Sequence, residues 1–374
     1  MSGEVAGRGN ISAMDALLPT FPSRYRLLTM LARVVENVYW LSRYLERAEN
    51  TARIIGVNTN LLLDLPGGIA PGWLPLVDIS GNRAEFDAQF KDKGSKGEER
   101  DVVSFLIADP RNPGSICSSL TAARENARTL REILPTEAWE LLNEFFAEFS
   151  RDLATGINKR TRFDFLKRIV VTLQTIAGIL DGTMNRNDAH TFSTLGRNLE
   201  RADMTSRIVD VRSAQLLPAE TPELRPFETV QWMSVLKSLS GYQMYRLKMR
   251  TRVKRTDVLQ FLLRDDQFPR SCLYCLAQLE SSLAPLPRSE GALEVLDGAA
   301  KFIQRAPLAT LDQPGLHGLI DDIQLRISDV HSRLAEIYFP SGEISGVQRM
   351  TGQSQSQSQS QRQTSLSFGE HAKA

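Results

Sequence analysis

The chain has 374 residues, 42% of them hydrophobic, with 45 basic and 44 acidic side chains and a formal charge of +1. That supplies enough apolar material for one large domain or two intimate halves. The balanced charge excludes an electrostatic nucleic-acid binder.

Three cysteines and the lack of a secretion signal point to a reducing, cytoplasmic setting. The longest apolar stretch, Ile169 to Leu180, is interrupted by Thr172, Gln174, Thr175 and Gly178. It falls short of the roughly 20 residues a membrane span needs, so no membrane partner is expected.

Residues 1–29 carry Gly, Ser, Pro and Arg without periodicity and read as a disordered leader. From Met30 to Val57 the chain reads as one long helix, free to continue to Leu63. Val34, Val38, Leu41, Leu45, Ala48, Ala52 and Ile55 form its apolar seam. Asp64 to Arg100 is rich in Pro and Gly and reads as a long irregular loop, functional or packed as a lid. Its segment Lys91–Glu99 reads as mobile.

Val102–Ala108 is a short buried helix. Asp109–Ser115 is a turn, with Asn112 or Ser115 as the cap of the next helix, Ile116–Leu134. Thr136 is expected to cap Glu137–Ala154, and Arg162–Asp181 closes the first half. Helices are expected near 186–216, 227–250, 255–263, 270–283, 289–304 and 314–338. No segment alternates as a half-buried strand does. Residues 341–374 form a low-complexity Ser/Gln tail, expected to be disordered.

The motif helix occurs twice. Leu41–Val57 aligns with Leu195–Val211 at an offset of 154, and ten of seventeen positions are identical. Phe105–Ser115 matches Phe261–Ser271, and Trp73…Gly81 matches Trp232…Gly241 more weakly. The fold is therefore expected to be all-α, a helical bundle of two pseudo-twofold-related repeats, 30–185 and 186–340, in one domain over 30–340.

The phrase LSRYLERAENTAR, its echo LERADMTSRIVD and the FLIADPRNPGSI stretch resemble the bacterial alpha-E family, named for its helices and its Glu-Arg motif. The resemblance covers Met30 to about Phe339. It implies a genomic setting beside a circularly permuted ATP-grasp protein, with transglutaminase-like proteins and a proteasome-like peptidase as frequent neighbours. Those neighbours suggest a bacterial peptide-ligation or peptide-modification system.

Arg43, Glu46, Arg47, Glu49, Asn50 and Arg53 share one arc of the first motif helix. The usual fate of such an arc is a solvated face whose internal ion pairs contribute only ~0.2–0.5 kcal/mol each. The repeat argues otherwise. Arg197, Glu200, Arg201 and Arg207 keep the identities of Arg43, Glu46, Arg47 and Arg53, and Asp203 keeps the charge of Glu49. A wet face has no reason to keep them. A charge network joining the two helices and an anion site are both open, the latter because Arg forks suit carboxylates and phosphates. Glu46 and Glu200 are the candidate catalytic carboxylates if one has a shifted pKa.

No metal site and no cofactor are expected. Cys272-x-x-Cys275 lacks the further ligands of a zinc site and reads as two core thiols. Cys117 has no triad signature around it, and His190, His317, His331 and His371 are scattered. There is no Walker loop, dinucleotide fingerprint, GxSxG elbow or HExxH. Arg252, Lys254 and Arg255 read as a solvated helix face. The leading expectation is a non-enzymatic helical partner of the ATP-grasp-type ligase. The rival is a small acid–base enzyme of the same system that uses the Glu-Arg pairs on a peptide or amide.

Overall fold

The computed structural model describes residues 31–64, 72–90, 94–214 and 225–339. The expected disorder of the leader and tail lies outside the described residues. Among those residues there are fifteen helices and no strand. The fold is all-helical.

Two long helices form the axis. α1 spans Ala32–Asp64 and α9 spans Asp188–Ala214. They pack along each other and carry the two copies of the motif. α5 (Ile116–Thr129) and α8 (Arg162–Thr183) cover α1, and α13 (Cys272–Leu283) and α15 (Gln313–Tyr338) cover α9. α6 (Thr136–Arg151) lies on α5 and α8, as α14 (Glu290–Arg305) lies on α13 and α15. The shorter α2 (Leu74–Ser80) reaches across to α9, and α10 (Arg225–Ser238) reaches across to α1. Apolar side chains of all these helices merge into one core.

This layout explains why α1 is not amphipathic in the usual sense. Helices surround it, so every residue from Val38 to Ala52 is buried, the polar arc included. The close approach of α1 and α9 depends on Gly196. A Cβ there would collide with the Tyr39 carbonyl oxygen. Nothing larger than hydrogen fits between the two backbones.

The expected elements differ from the structure in five places. Asp64–Arg100 is not one long loop. It holds α2, α3 (Arg83–Phe90) and the start of α4 (Glu99–Ile107). Trp73, Leu76, Val77, Ile79 and Phe86 are buried there and supply the packing that the Pro/Gly composition concealed.

The expected helix over 227–250 is broken. α10 stops at Ser238 and α11 (Tyr242–Met249) begins after Ser240, whose φ of 55° leaves the right-handed helix region. The expected run Glu137–Ala154 is likewise split, between α6 and α7 (Leu153–Ile157), and α5 ends at Thr129, short of Leu134. Lastly, Thr136 lies inside α6. Pro135 is the N-cap residue, with no side-chain cap bond. Ser115 and Ser271 do cap: their hydroxyls accept from Ser118 N and Tyr274 N at the starts of α5 and α13. α12 (Arg255–Arg264) completes the set.

Gly196→Ala tests the helix contact. The added methyl must push two backbones apart, and overpacking of this kind costs about 1–3 kcal/mol. Thermal melts of the purified variant should show that loss. An unchanged melting temperature would mean that α1 and α9 are not in contact at this point.

Candidate functional site

The polar arcs of α1 and α9 face each other inside the bundle. Glu200, wholly buried, is gripped by two arginines of the other helix. Arg43 Nε donates to Oε2 at 2.7 Å, and Arg47 donates from Nε to Oε1 at 2.6 Å and from Nη2 to Oε2 at 2.9 Å. Planar guanidinium forks suit this geometry.

Glu46 is held in the reverse sense. Arg201 Nε lies 3.0 Å from its Oε2, an ion pair whose N–H points off the hydrogen-bond line. Arg270 Nη1 donates to Glu46 Oε1 at 2.7 Å and to Asn50 Oδ1 at 2.7 Å, while its Nη2 donates to Glu49 Oε1 at 2.8 Å. Asn50 Nδ2 donates to Glu46 at 3.3 Å, and Arg53 Nε donates to Glu49 at 2.9 Å.

The remaining arc residues stand at the edges. Arg207 Nε donates to Asp203 Oδ2 at 2.9 Å within α9. The head of Arg207 also lies against Gly81, the left-handed residue that ends α2, leaving no room for a Cβ there. Arg197 stands apart from the carboxylates of α1. Its nearest pair is Asp181 Oδ1 at 3.6 Å. The structure thus gathers Arg43, Arg47 and Glu200 into one cluster, and Glu46, Glu49, Asn50, Arg53 and Arg201 into a second around Arg270. Asp203 with Arg207 forms a separate pair, and Arg197 is left at the rim.

Arg270 and the aromatic neighbours were not foreseen. Arg270 sits at the end of the turn before α13, where the first half has Gly114. The one available signal was this replacement of glycine by arginine in otherwise matching Pro-x-Ser turns. Thr205 Oγ1 fixes the turn by donating to the Arg270 carbonyl at 2.8 Å. Arg43 lies over the ring of Trp40 at 5.0 Å and that of Tyr39 at 5.7 Å. Tyr39 OH in turn meets His331 Nδ1 at 2.8 Å.

Charges here follow from burial and pairing. Burial pushes the Glu46 carboxyl up, but Arg201 and Arg270 overturn this and hold it at about 2. Burial acts likewise on Glu200, and Arg47 and Arg43 bring it to about 2. Burial opposes the cations of Arg43 and Arg201, and their pairing raises both above the ordinary arginine value. Burial, then Arg43, drives His331 down to about 3, so it is a neutral imidazole. Burial alone accounts for most of the rise of the Cys275 thiol to about 12, and Cys272 is raised well above the usual value too. Neither is a thiolate at neutral pH.

Among the described residues, His317 is the one histidine that meets two carboxylates. Its Nδ1 lies 2.6 Å from Asp210 and its Nε2 lies 3.5 Å from Asp321. The three groups offer ligand atoms within 4.8 Å of one another.

With two Glu-Arg steps facing each other, the family follows. A family model described as Alpha-E, "a predicted alpha-helical domain with a conserved ER motif", matches residues 30–339. The chain belongs to the Alpha-E family. Glu46-Arg47 and Glu200-Arg201 are the Glu-Arg steps of the two matching helices; a third step, Glu99-Arg100, opens α4. The chain is also similar to uncharacterized proteins of Mycobacterium bovis and of two strains of Mycobacterium tuberculosis. Each is 22% identical over 323 residues, which cover 82% of this chain and 36% of the relative. The Alpha-E chain thus spans about a third of the length of these curated relatives. No solved structure matches it. None of its described helices is long and apolar enough to cross a membrane.

Removing one member of the network strands its partner in the core. Arg47→Met and Glu200→Gln should each cost about 3–5 kcal/mol in denaturant unfolding, against under ~0.5 for a wet surface pair. The pH dependence has a definite sign. Both carboxyls fold with values near 2, below their ordinary 4.5. Their stabilisation is full above about pH 4.5 and is lost as pH falls towards 2. Urea midpoints measured across that window should drop more steeply for the parent chain than for Glu200→Gln.

Proposed function

We propose that this protein is a non-enzymatic helical partner of a circularly permuted ATP-grasp-type amide ligase, in a cytoplasmic bacterial system that ligates or modifies peptides. One observation carries the reading. Each motif carboxylate is saturated by two arginines: Glu200 by Arg43 and Arg47, Glu46 by Arg201 and Arg270. A general acid or base needs a pKa near the working pH and an accessible proton. Two buried carboxyls held near 2 supply neither at neutral pH, which weighs against the acid–base enzyme. The motif then serves to fix the relative position of two long helices, and through them the outer surface that a partner reads. A transglutaminase-like protein is a second partner of the same system.

We also propose that the two halves, 30–185 and 186–340, are repeats related by an approximate twofold. Reciprocal ion pairs support this, since Arg47–Glu200 and Arg201–Glu46 are the same pair read from either helix. So does the matching cover, with α5 and α8 on α1 against α13 and α15 on α9. Two small clefts beside the network add a third line. Leu45, Glu49, Leu173, Ala177 and Arg197 line one; Leu199, Asp203, Ile327, His331 and Arg43 line the other. Each pair differs by 154 in number, the offset of the motif repeat.

Co-expression with the neighbouring ATP-grasp protein, followed by affinity capture and mass spectrometry, tests the partnership. A stoichiometric complex is expected. Peptide turnover by the isolated chain, with no ligase captured, would sink the reading. The repeats have their own test. A fragment spanning 30–185 should not unfold cooperatively as a monomer, because α1 alone exposes charged residues that α9 pairs.

A further inference from the structure

The two motif arginines Arg43 and Arg197 occupy equivalent places, yet their surroundings differ in every respect that matters to a charge. Arg43 has a carboxylate at 2.7 Å and two aromatic rings, Tyr39 and Trp40, against its guanidinium. At the positions equivalent to Tyr39 and Trp40 the second repeat has Ser193 and Thr194, and opposite the place of His331 it has Ala177. The carboxylate that Arg197 would take, Glu46, is occupied by Arg201 and Arg270.

Two polar atoms are left over. Arg197 Nε and Thr194 Oγ1 are both shielded from solvent and neither has a hydrogen-bond partner. They lie three residues apart on α9, on one face of the helix. Buried polar atoms are nearly always satisfied, so two together call for a missing partner.

What stands nearby is cationic. A single oxygen of Asp181, at the C-terminal end of α8, serves Arg197 at 3.6 Å, Arg186 at 3.5 Å and His190 at 3.5 Å. All three contacts are loose, and Asp181 is 55% exposed. Arg186 also touches His190 and donates to the Asp181 carbonyl at 2.7 Å. Two guanidinium groups thus share one half-free carboxylate. Burial, and then the charge of Arg201, pulls Arg197 below the ordinary arginine value, as expected of a cation that lacks a close anion. The cleft beside it holds about 20 Å³, enough for one small polar group but not for a whole ligand.

We infer that Arg197, Thr194 and Arg186 form an oxyanion site at the α8–α9 edge, which takes the terminal carboxylate or phosphate of a ligand in competition with Asp181. The ligand's anionic tip receives the Arg197 fork and the Thr194 hydroxyl, Arg186 meets it from the rim, and Asp181 swings to solvent. This goes beyond the partner role and does not depend on it.

Isothermal titration with N-acetylglutamate and, separately, inorganic phosphate tests the site in the full-length chain, with sodium chloride at equal ionic strength as control. The His190 imidazole resonances report occupancy locally. Saturable binding of at least one probe is expected, and a carboxylate-only or phosphate-only response names the ligand's chemistry. The bound anion should shift the His190 resonances, because it displaces Asp181, the carboxylate that now faces the ring, from beside Arg186 and Arg197.

Arg197→Met should weaken binding about tenfold or more, since it removes the charge-assisted hydrogen bonds of the guanidinium fork. Its melting temperature should not fall, unlike that of Arg47→Met. Asp181→Asn, which removes the competitor, should tighten binding. The inference is overturned if neither probe saturates, if chloride moves His190 equally, or if Arg197→Met binds as the parent does.

Discussion

The fold hangs on one requirement: charges taken from water must be paired. An ion moved into a low-dielectric interior loses several kcal/mol of hydration even after relaxation, and only close, well-aligned partners return it. Here α1 and α9 bring their charged faces together instead of turning them outward. Glu200 is reachable by Arg43 and Arg47 in one register of the two helices only. Sliding either helix by one turn, about 5.4 Å, would leave arginines and glutamates facing apolar side chains. The seams on the other sides of the helices, built from residues such as Val38, Leu45, Leu199 and Ile208, are less particular. Apolar contact is non-directional and tolerates a shift. The network therefore sets the register, and the seams supply the bulk of the stabilisation.

That division explains how much could be read in advance. The span of α1, its seam and its echo in α9 follow from spacing alone. The buried state of Glu46, Arg47 and their twins was visible only through the comparison of halves. Charged identities that survive where Tyr44 has become Asn198 are hard to reconcile with a wet face. Other features left no such mark. Arg270 comes from a turn more than two hundred residues from Glu46, and nothing in its local sequence shows where its side chain ends. α2 and α3 hid inside a Pro/Gly-rich stretch because short helices rest on tertiary packing rather than on propensity. The break at Ser240 and Gly241 is a single backbone choice, seen only when Gly241 N reaches back to Leu236 O at 2.7 Å.

The aromatic wall beside Arg43 adds to this picture. Trp40, Tyr44, Tyr39 and His331 stack or meet edge to face, and the Arg43 and Arg47 cations lie over their rings. Such contacts are strongest when desolvated. They let a cation sit deep in the bundle without a second carboxylate. With His331 neutral, no further positive charge enters the cluster, and Glu200 can serve two arginines without a third competing.

The surroundings of Glu46 solve the same problem differently. With no aromatic wall there, Arg270 from the turn before α13 completes the pairing of Glu46, and this cation also ties down Glu49 and Asn50. One more arginine on the same side then has no close anion. A charge added to one side of a buried cluster must be balanced or set aside, and Arg197 is what was set aside. It remains on the helix, close to Asp181 but not hydrogen-bonded to it, at the rim where α8 meets α9. The unbalanced charge is thus confined to one edge of the paired charges. The rest of the paired charges keep the two long helices in place, and that edge is where a rigid scaffold has a cation to spare.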